Sequence, residues 1–141
     1  MHDNVKISVK VDAPVEKVWN ALTSQDSLRN WYFDIPDFKP EVGNNFSFYE
    51  PGDKKQYHHH CEVIDVIPTE KLKYSWEYPE ISKGKSLVKW ELAPENDGTV
   101  VTLTHKGIET FHHLGQDFHH ESFEQGWNEI LHKSLKNYLE N

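Results

Sequence analysis

The sequence predicts an α+β fold in which a curved antiparallel sheet wraps around a long C-terminal helix. Residues 119–141 show apolar side chains at helical spacing, polar side chains on the other side and no interior proline. Roughly five or six segments of alternating apolar and polar residues, joined by turn sequences, precede this stretch. A further strand and two short helices come first. Consecutive strands joined by tight turns favour an antiparallel meander, which leaves one face of the sheet for the helix.

The first strand and the two short helices occupy the start of the chain. Residues 5–11 alternate between apolar and polar side chains and predict a strand with one buried face. Asp12 is expected to cap the first helix. Thr23 or Ser24 can cap the second helix, which runs into Trp31.

The remaining strands follow the same alternation. They are predicted at 46–48, 57–67, 71–78, 87–92 and 100–105. In the second of these, Cys61 and Val63 share one face, while His60, Ile64 and Val66 share the other unless a bulge changes the phase. The Asn96-Asp97-Gly98 sequence is typical of a hairpin turn.

The segment 107–118 shows no sustained pattern, and Gly107 and Gly115 are possible hinges of an entrance to the space between sheet and helix. The helix that follows is expected to be long and amphipathic, because it has no interior proline. Its apolar stripe consists of Phe123, Trp127, Ile130, Leu131, Tyr138 and Leu139.

Composition narrows the class of protein. A chain of 141 residues fits one domain, 1–141, with a single core. The formal net charge of −8 argues against nucleic-acid partners and against binding to an anionic membrane surface. No segment is long and apolar enough for a transmembrane helix, and no apolar signal-peptide core is present. A single cysteine suggests a reducing compartment, so a cytoplasmic protein is expected.

Large aromatic residues are the leading candidates for a binding site. Flat side chains can orient a ligand by stacking, but they can equally fill the core. Trp127 and Trp76 are the best individual candidates. The full set of candidate ligand-binding residues is Trp31, Phe33, Phe48, Trp76, Trp90, His105, Phe123 and Trp127.

His105 is the polar member of this set. It could orient a ligand or donate a proton, or it could sit at the rim of the sheet, hydrogen-bonded to the backbone. We favour the rim, because a lone histidine carries no catalytic geometry.

Other reactive side chains give weaker signals. The clusters His58-His59-His60, His112-His113 and His119-His120 could bind a metal ion, but surface histidines explain them more simply, and neither a metal nor a cofactor is expected. Cys61 is either a small buried hydrophobe or a reactive thiol. No carboxylate pair stands out by its spacing, and no nucleophile, phosphate-loop or zinc-protease motif is present.

Several segments together resemble one family in their order and spacing. They are Ala13-Pro14-Val15-Glu16-Lys17-Val18-Trp19 with Ala21-Leu22, Leu28 with Trp31, Val42-Gly43 before Phe46, Pro68-Thr69-Glu70-Lys71-Leu72 leading to Tyr74-Ser75-Trp76, Gly98 to His105, and Gly126-Trp127 with Leu131, Leu135 and Leu139. The chain resembles the helix-grip (START or Bet v 1-like) superfamily and, within it, the activator-of-Hsp90-ATPase homology family.

This resemblance implies a fold with a cavity between sheet and helix. It also implies that the partner is a small apolar or amphipathic molecule, since relatives of this single-domain type mostly look like such binders. A chaperone of the Hsp90 type is the alternative partner, although the eukaryotic co-chaperones use an additional N-terminal domain for which 141 residues leave no room. A small-molecule enzyme built on the same cavity is the third hypothesis.

Overall fold

A computed structural model describes residues 4–31, 35, 38–49, 58–78, 83–114 and 120–140. The first part of the chain forms β1 (Val5–Val11), α1 (Val15–Thr23) and α2 (Gln25–Trp31). The sheet continues with β2 (Asn45–Tyr49), β3 (His58–Ile67), β4 (Lys71–Trp76), β5 (Ser86–Glu95) and β6 (Gly98–Lys106). A 3-10 helix (Ile108–Leu114) leads to α3 (His120–Glu129), a π-helical segment (Ile130–Leu135) and α4 (Lys136–Glu140).

The six strands form one antiparallel sheet in the order β1-β6-β5-β4-β3-β2. The core lies between this sheet and the helices, where β1, β4, β5 and β6 bury their apolar side chains. This architecture confirms the predicted α+β fold with its C-terminal helix against an antiparallel sheet. Within the described residues, no helix combines the length and the apolar composition needed to cross a membrane.

A hairpin joins β5 and β6, as predicted, and its turn has two residues. Glu95 pairs with Gly98, so Asn96 and Asp97 form the loop. Asn96 has a φ of 55°, in the left-handed region that asparagine tolerates better than most residues.

A bulge in β3 changes the phase of its side chains. The register of β3 against β4 shifts between Val63 and Asp65. Ile64 before the shift is 40% exposed, whereas Val66 after it packs against the core. The predicted shared face of His60, Ile64 and Val66 therefore ends at the bulge.

The predicted cap of α1 is wrong, and that of α2 is confirmed. Pro14 occupies the N-cap position of α1, which has no side-chain cap. The backbone N–H of Asp12 instead donates to Oε2 of Glu140 at 2.8 Å, which ties the end of β1 to the C-terminal helix. At α2, Oγ of Ser24 accepts the backbone N–H of Ser27 at 3.4 Å.

The predicted long C-terminal helix is confirmed, and it contains a π-helical segment that the sequence pattern did not indicate. Its buried residues recur every fourth position: Phe123, Trp127, Leu131, Leu135 and Leu139. In an α-helix each four-residue step overshoots a full turn by about 40°, so this stripe would rotate by about 160° over four steps. The wider turns of the π-helical segment Ile130–Leu135 reduce that drift and keep the stripe on the sheet.

Residues 107–114 are also more ordered than the sequence pattern indicates. Gly107 has a φ of +87° and directs the chain from β6 into the 3-10 helix. Ile108 and Phe111 of this helix are fully buried. This part of the predicted entrance therefore packs into the core. Gly115 lies outside the described residues.

Two glycines provide an opposed pair of stability predictions. A Cβ at Gly98 would lie 2.5 Å from the backbone oxygen of Val11, whereas a Cβ at Gly126 would meet nothing within 4 Å. We expect Gly98→Ala to lower the free energy of unfolding by roughly 1–3 kcal/mol through overpacking. Gly126→Ala should raise it by up to about 1 kcal/mol, because alanine favours a helix interior. Urea denaturation of both variants checks this pair, and an unchanged midpoint for Gly98→Ala would contradict it.

Candidate ligand site

An apolar cleft lies between the two short helices and the sheet. Its cavity volume is about 20 Å³. Helices α1 and α2, the segment after them, and strands β2, β4 and β5 supply its walls. The lining residues are Leu22, Leu28, Trp31, Ile35, Phe38, Phe46, Leu72, Tyr74 and Trp90. None of these side chains carries a charge.

The polar atoms on the cleft wall are directed into the protein. Nε1–H of Trp31 donates to the backbone oxygen of Ala21 at 2.8 Å. Nε1–H of Trp90 donates to the hydroxyl oxygen of Tyr74 at 3.0 Å. Both indoles are therefore fixed in orientation, and the surfaces they present to the cleft are apolar.

Edge-to-face ring contacts support the same walls. Trp31 and Trp90 meet at 90° with ring centroids 6.3 Å apart. Phe46 contacts Tyr74 at 5.3 Å and Phe38 at 5.0 Å, also with nearly perpendicular rings. Such pairs favour defined ring orientations, so the cleft has a defined shape.

A second group of rings fills the space between α3, the 3-10 helix and the sheet. We call it the aromatic cluster, and it consists of His59, Trp76, Tyr78, His105, Phe111, Phe123 and Trp127. Trp76 is central, because it contacts His59 at 4.8 Å, His105 at 5.4 Å and Trp127 at 5.4 Å. Trp127 also contacts Trp90 at 5.8 Å, which joins the aromatic cluster to the wall of the cleft.

His105 is fully buried in the aromatic cluster, with both ring nitrogens hydrogen-bonded. Nδ1 accepts from Nε1–H of Trp127 at 3.0 Å, so the ring proton must sit on Nε2. Nε2–H then donates to Oγ of Ser86 at 2.8 Å, and Oγ–H of Ser86 donates to the backbone oxygen of Trp76 at 2.9 Å. The chain of donors and acceptors is closed within the protein.

The surroundings of His105 keep its imidazole neutral. Burial, and secondarily the nearby charge of His59, lowers the pKa of His105 to about 3. Its side chain bonds to Ser86 and Trp127 inside the sheet, so the expected position at the rim with a backbone partner is not what the structure shows.

The contact between Ser86 and His105 does not have the geometry of a nucleophile and its base. A base needs a free lone pair facing the serine hydroxyl, but here Nε2 carries the proton and donates to Oγ. The lone pair of Nδ1 is occupied by Trp127. This pair is a structural hydrogen bond.

Cys61 takes the first of its two interpretations, that of a buried hydrophobe. It is fully buried in β3. Burial, and to a smaller extent the charge of Glu77, raises the pKa of its thiol well above the usual value. The thiolate that nucleophilic or redox chemistry requires is therefore disfavoured.

Within the first histidine cluster, the fold separates His59 from His60. His59 points into the core, whereas Nδ1 of His60 lies 3.7 Å from Oε2 of Glu77 at the sheet surface. His120 bonds to the backbone oxygen of Asn4 at 3.1 Å. In the described part of the chain, no three metal-binding side chains come together. The side chains of His58, His112, His113 and His119 lie outside the described residues.

The predicted site residues fall into two groups. Trp31 and Trp90 line the cleft. Trp76, His105, Phe123 and Trp127 belong to the aromatic cluster, and their binding to a ligand stays a prediction. Phe33 lies outside the described residues, and only the backbone of Phe48 is described. Sequence reasoning missed these lining residues: Leu22, Leu28, Ile35, Phe38, Phe46, Leu72 and Tyr74.

The fold and the cleft together define a helix-grip protein with an apolar cleft beneath its short helices. The chain belongs to the family of Activator of Hsp90 ATPase homolog 1-like proteins, whose family model matches residues 12–140. The resemblance seen in the sequence is thereby confirmed. No curated protein matches the sequence.

Solved structures share the fold of this chain. The chain is similar to protein MLL2253 from Mesorhizobium loti, with 26% identity over 96% of each chain and a TM-score of 0.78. It is also similar to protein BH1534 from Bacillus halodurans, with 29% identity over 97% of this chain and 96% of that chain and a TM-score of 0.76. The Aha1 dimer from Colwellia psychrerythraea shares the fold, with 21% identity over 97% and 96% of the two chains and a TM-score of 0.71.

Proposed function

We propose that this protein binds a small, uncharged, apolar molecule in the cleft between its short helices and its sheet. The observation that carries the proposal is the lining itself: nine residues, none charged, whose indole N–H groups already bond to the protein. A ligand with a charged group would lose its hydration without gaining a partner from these walls. An apolar ligand would gain roughly 25 cal/mol for each Å² removed from water.

The size of the cleft limits the ligand. The cavity volume of the cleft is about 20 Å³, roughly the room for one water molecule, whereas a cavity of about 150 Å³ accepts benzene in a well-studied protein. Side chains must therefore shift when a ligand of even one ring enters. Rotamer changes of this kind are common on binding.

Binding is favoured over catalysis by the same lining. Among the cleft residues that the structure describes, Tyr74 offers a hydroxyl, and none offers a carboxylate, an imidazole or a thiol. The convergent polar groups that an enzyme on this cleft would need are not among these residues.

Titration with N-phenylnaphthylamine, an uncharged dye that brightens in apolar surroundings, tests the proposal. We expect the wild type to bind the dye and Leu28→Phe, which fills the cleft, to weaken binding at least tenfold. Leu92→Phe is the matched control, because Leu92 has nearly the same exposure, 6% against 4%, and does not line the cleft. Equal affinities for the two variants would place the dye elsewhere and defeat the proposal.

The family description supports a second function, that of a protein-interaction module of the co-chaperone type. Its test is a pulldown with Hsp90 together with an ATPase assay. If the protein neither binds Hsp90 nor changes its ATPase rate, this alternative is removed and ligand binding remains.

A further inference from the structure

We propose that His105 is a positioning residue, which fixes the indole of Trp127 and, through Trp127, the Trp90 wall of the cleft. The imidazole itself does not line the cleft. This inference rests on the proposed function, because it takes the cleft to be the ligand site.

A hydrogen bond joins His105 to Trp127. Nδ1 is the acceptor and Nε1–H of the indole the donor, with 3.0 Å between the nitrogens and the rings at 78°. Ser86 holds the other side of the imidazole at 2.8 Å, so the tautomer is fixed. The hydrogen bond therefore selects the rotamer of Trp127 in which Nε1–H points at Nδ1 of His105.

A ring contact joins Trp127 to Trp90. Their rings meet edge to face at 86° with centroids 5.8 Å apart. Trp90 is held on its other sides by the hydroxyl of Tyr74 and by the ring of Trp31, both of which line the cleft. A displaced Trp127 would therefore let one side of the cleft wall relax.

Histidine at position 105 offers hydrogen bonds that an apolar ring could not. A phenylalanine would fill a similar volume and would not require the burial of two polar nitrogens. The imidazole adds two directed hydrogen bonds, and a fully satisfied buried network favours one packing arrangement over its neighbours. Compared with phenylalanine, His105 thus buries less apolar surface but fixes the orientation of the neighbouring ring.

The test compares His105→Phe with His105→Gln. Glutamine can offer an amide oxygen to Trp127 and an amide N–H to Ser86, whereas phenylalanine can offer neither. We expect His105→Phe to change the near-UV circular dichroism of the tryptophans and to weaken N-phenylnaphthylamine binding at least fivefold. We expect His105→Gln to stay within twofold of wild type, with a similar spectrum.

Two further variants separate positioning from stability. Ile7→Ala removes a buried side chain from β1, which lies at the opposite edge of the sheet and does not line the cleft, so it should lower stability while leaving dye affinity within twofold. Trp127→Phe keeps a ring but lacks the donor, so it should weaken dye binding as His105→Phe does, even if that variant folds poorly.

The outcomes are distinct. An unchanged spectrum and affinity in His105→Phe would overturn the proposal, as would equal losses in the phenylalanine and glutamine variants. If the wild type binds no dye, the cleft proposal fails by itself. The near-UV spectra of the two His105 variants then still decide whether this histidine positions Trp127.

Discussion

Replacing Trp127 by alanine is expected to lower the free energy of unfolding by about 3–5 kcal/mol, the usual range for a large buried aromatic residue. Trp127 is 3% exposed and packs against Trp76, Trp90 and His105. The substitution also leaves Nδ1 of His105 buried without its donor, which adds about 1–3 kcal/mol to the cost. Since domains are stable by about 5–15 kcal/mol, the variant will be close to unfolding. Urea denaturation followed by far-UV circular dichroism measures the loss.

Trp19→Ala is the control for the Trp127 prediction. Trp19 lies on α1 and is only partly buried at the edge of the core. Its replacement should cost clearly less than that of Trp127. If both variants lost the same stability, the large contribution assigned to the buried contacts of Trp127 would be wrong. Dye binding of Trp127→Ala then shows whether this residue serves the ligand as well as the core.

Stability is expected to fall as the pH drops from about 6.5 towards 3, because His105 is held neutral in the folded protein. Its pKa is about 3 when folded and about 6.5 in an unfolded chain. As the pH falls, the unfolded chain takes up this proton first. Stability is thus full above the unfolded pKa and is lost at about 1.4 kcal/mol per pH unit between the two values. Chemical denaturation at a series of pH values measures this slope.

His105→Gln isolates the contribution of this residue to the pH dependence. The variant should show a shallower slope between about pH 4.5 and 6.5, the range in which histidines titrate and most carboxylates do not. Carboxyl groups take up protons at lower pH. Hydrogen bonds from Lys71 and Lys136 lower the pKa of Asp65 and of Glu140, respectively. An identical slope in the variant and the wild type would show that protonation of His105 does not limit acid stability.

Alternation in the sequence was sufficient to predict the sheet. Leu72, Tyr74 and Trp76 share the buried face of β4, and Asn96-Asp97 marks the hairpin between β5 and β6, because strand period and turn chemistry are local properties. The 3-10 helix was missed although Ile108 and Phe111 have its three-residue spacing. Two apolar residues are too few to distinguish this spacing from a loop.

The candidate site was less predictable than the fold. Large aromatic residues were singled out by size, which found Trp31 and Trp90 but not the leucines beside them. Tyr74 could have been found from its alternation with Trp76, and Phe46 from its alternation with Phe48. The partners of His105 could not have been found in this way. Ser86 and Trp127 are 19 and 22 positions away, and only strand register and helix docking bring them to the imidazole.

The π-helical segment Ile130–Leu135 has a consequence for the order of folding. Released from the sheet, residues 120–140 would gain most from an ordinary α-helix, in which the stripe from Phe123 to Leu139 spirals around the axis. The widened turns become favourable once Leu131 and Leu135 have a surface to pack on. We therefore expect the sheet to form first and the π-helical turns of residues 130–135 to form when the helix packs on it.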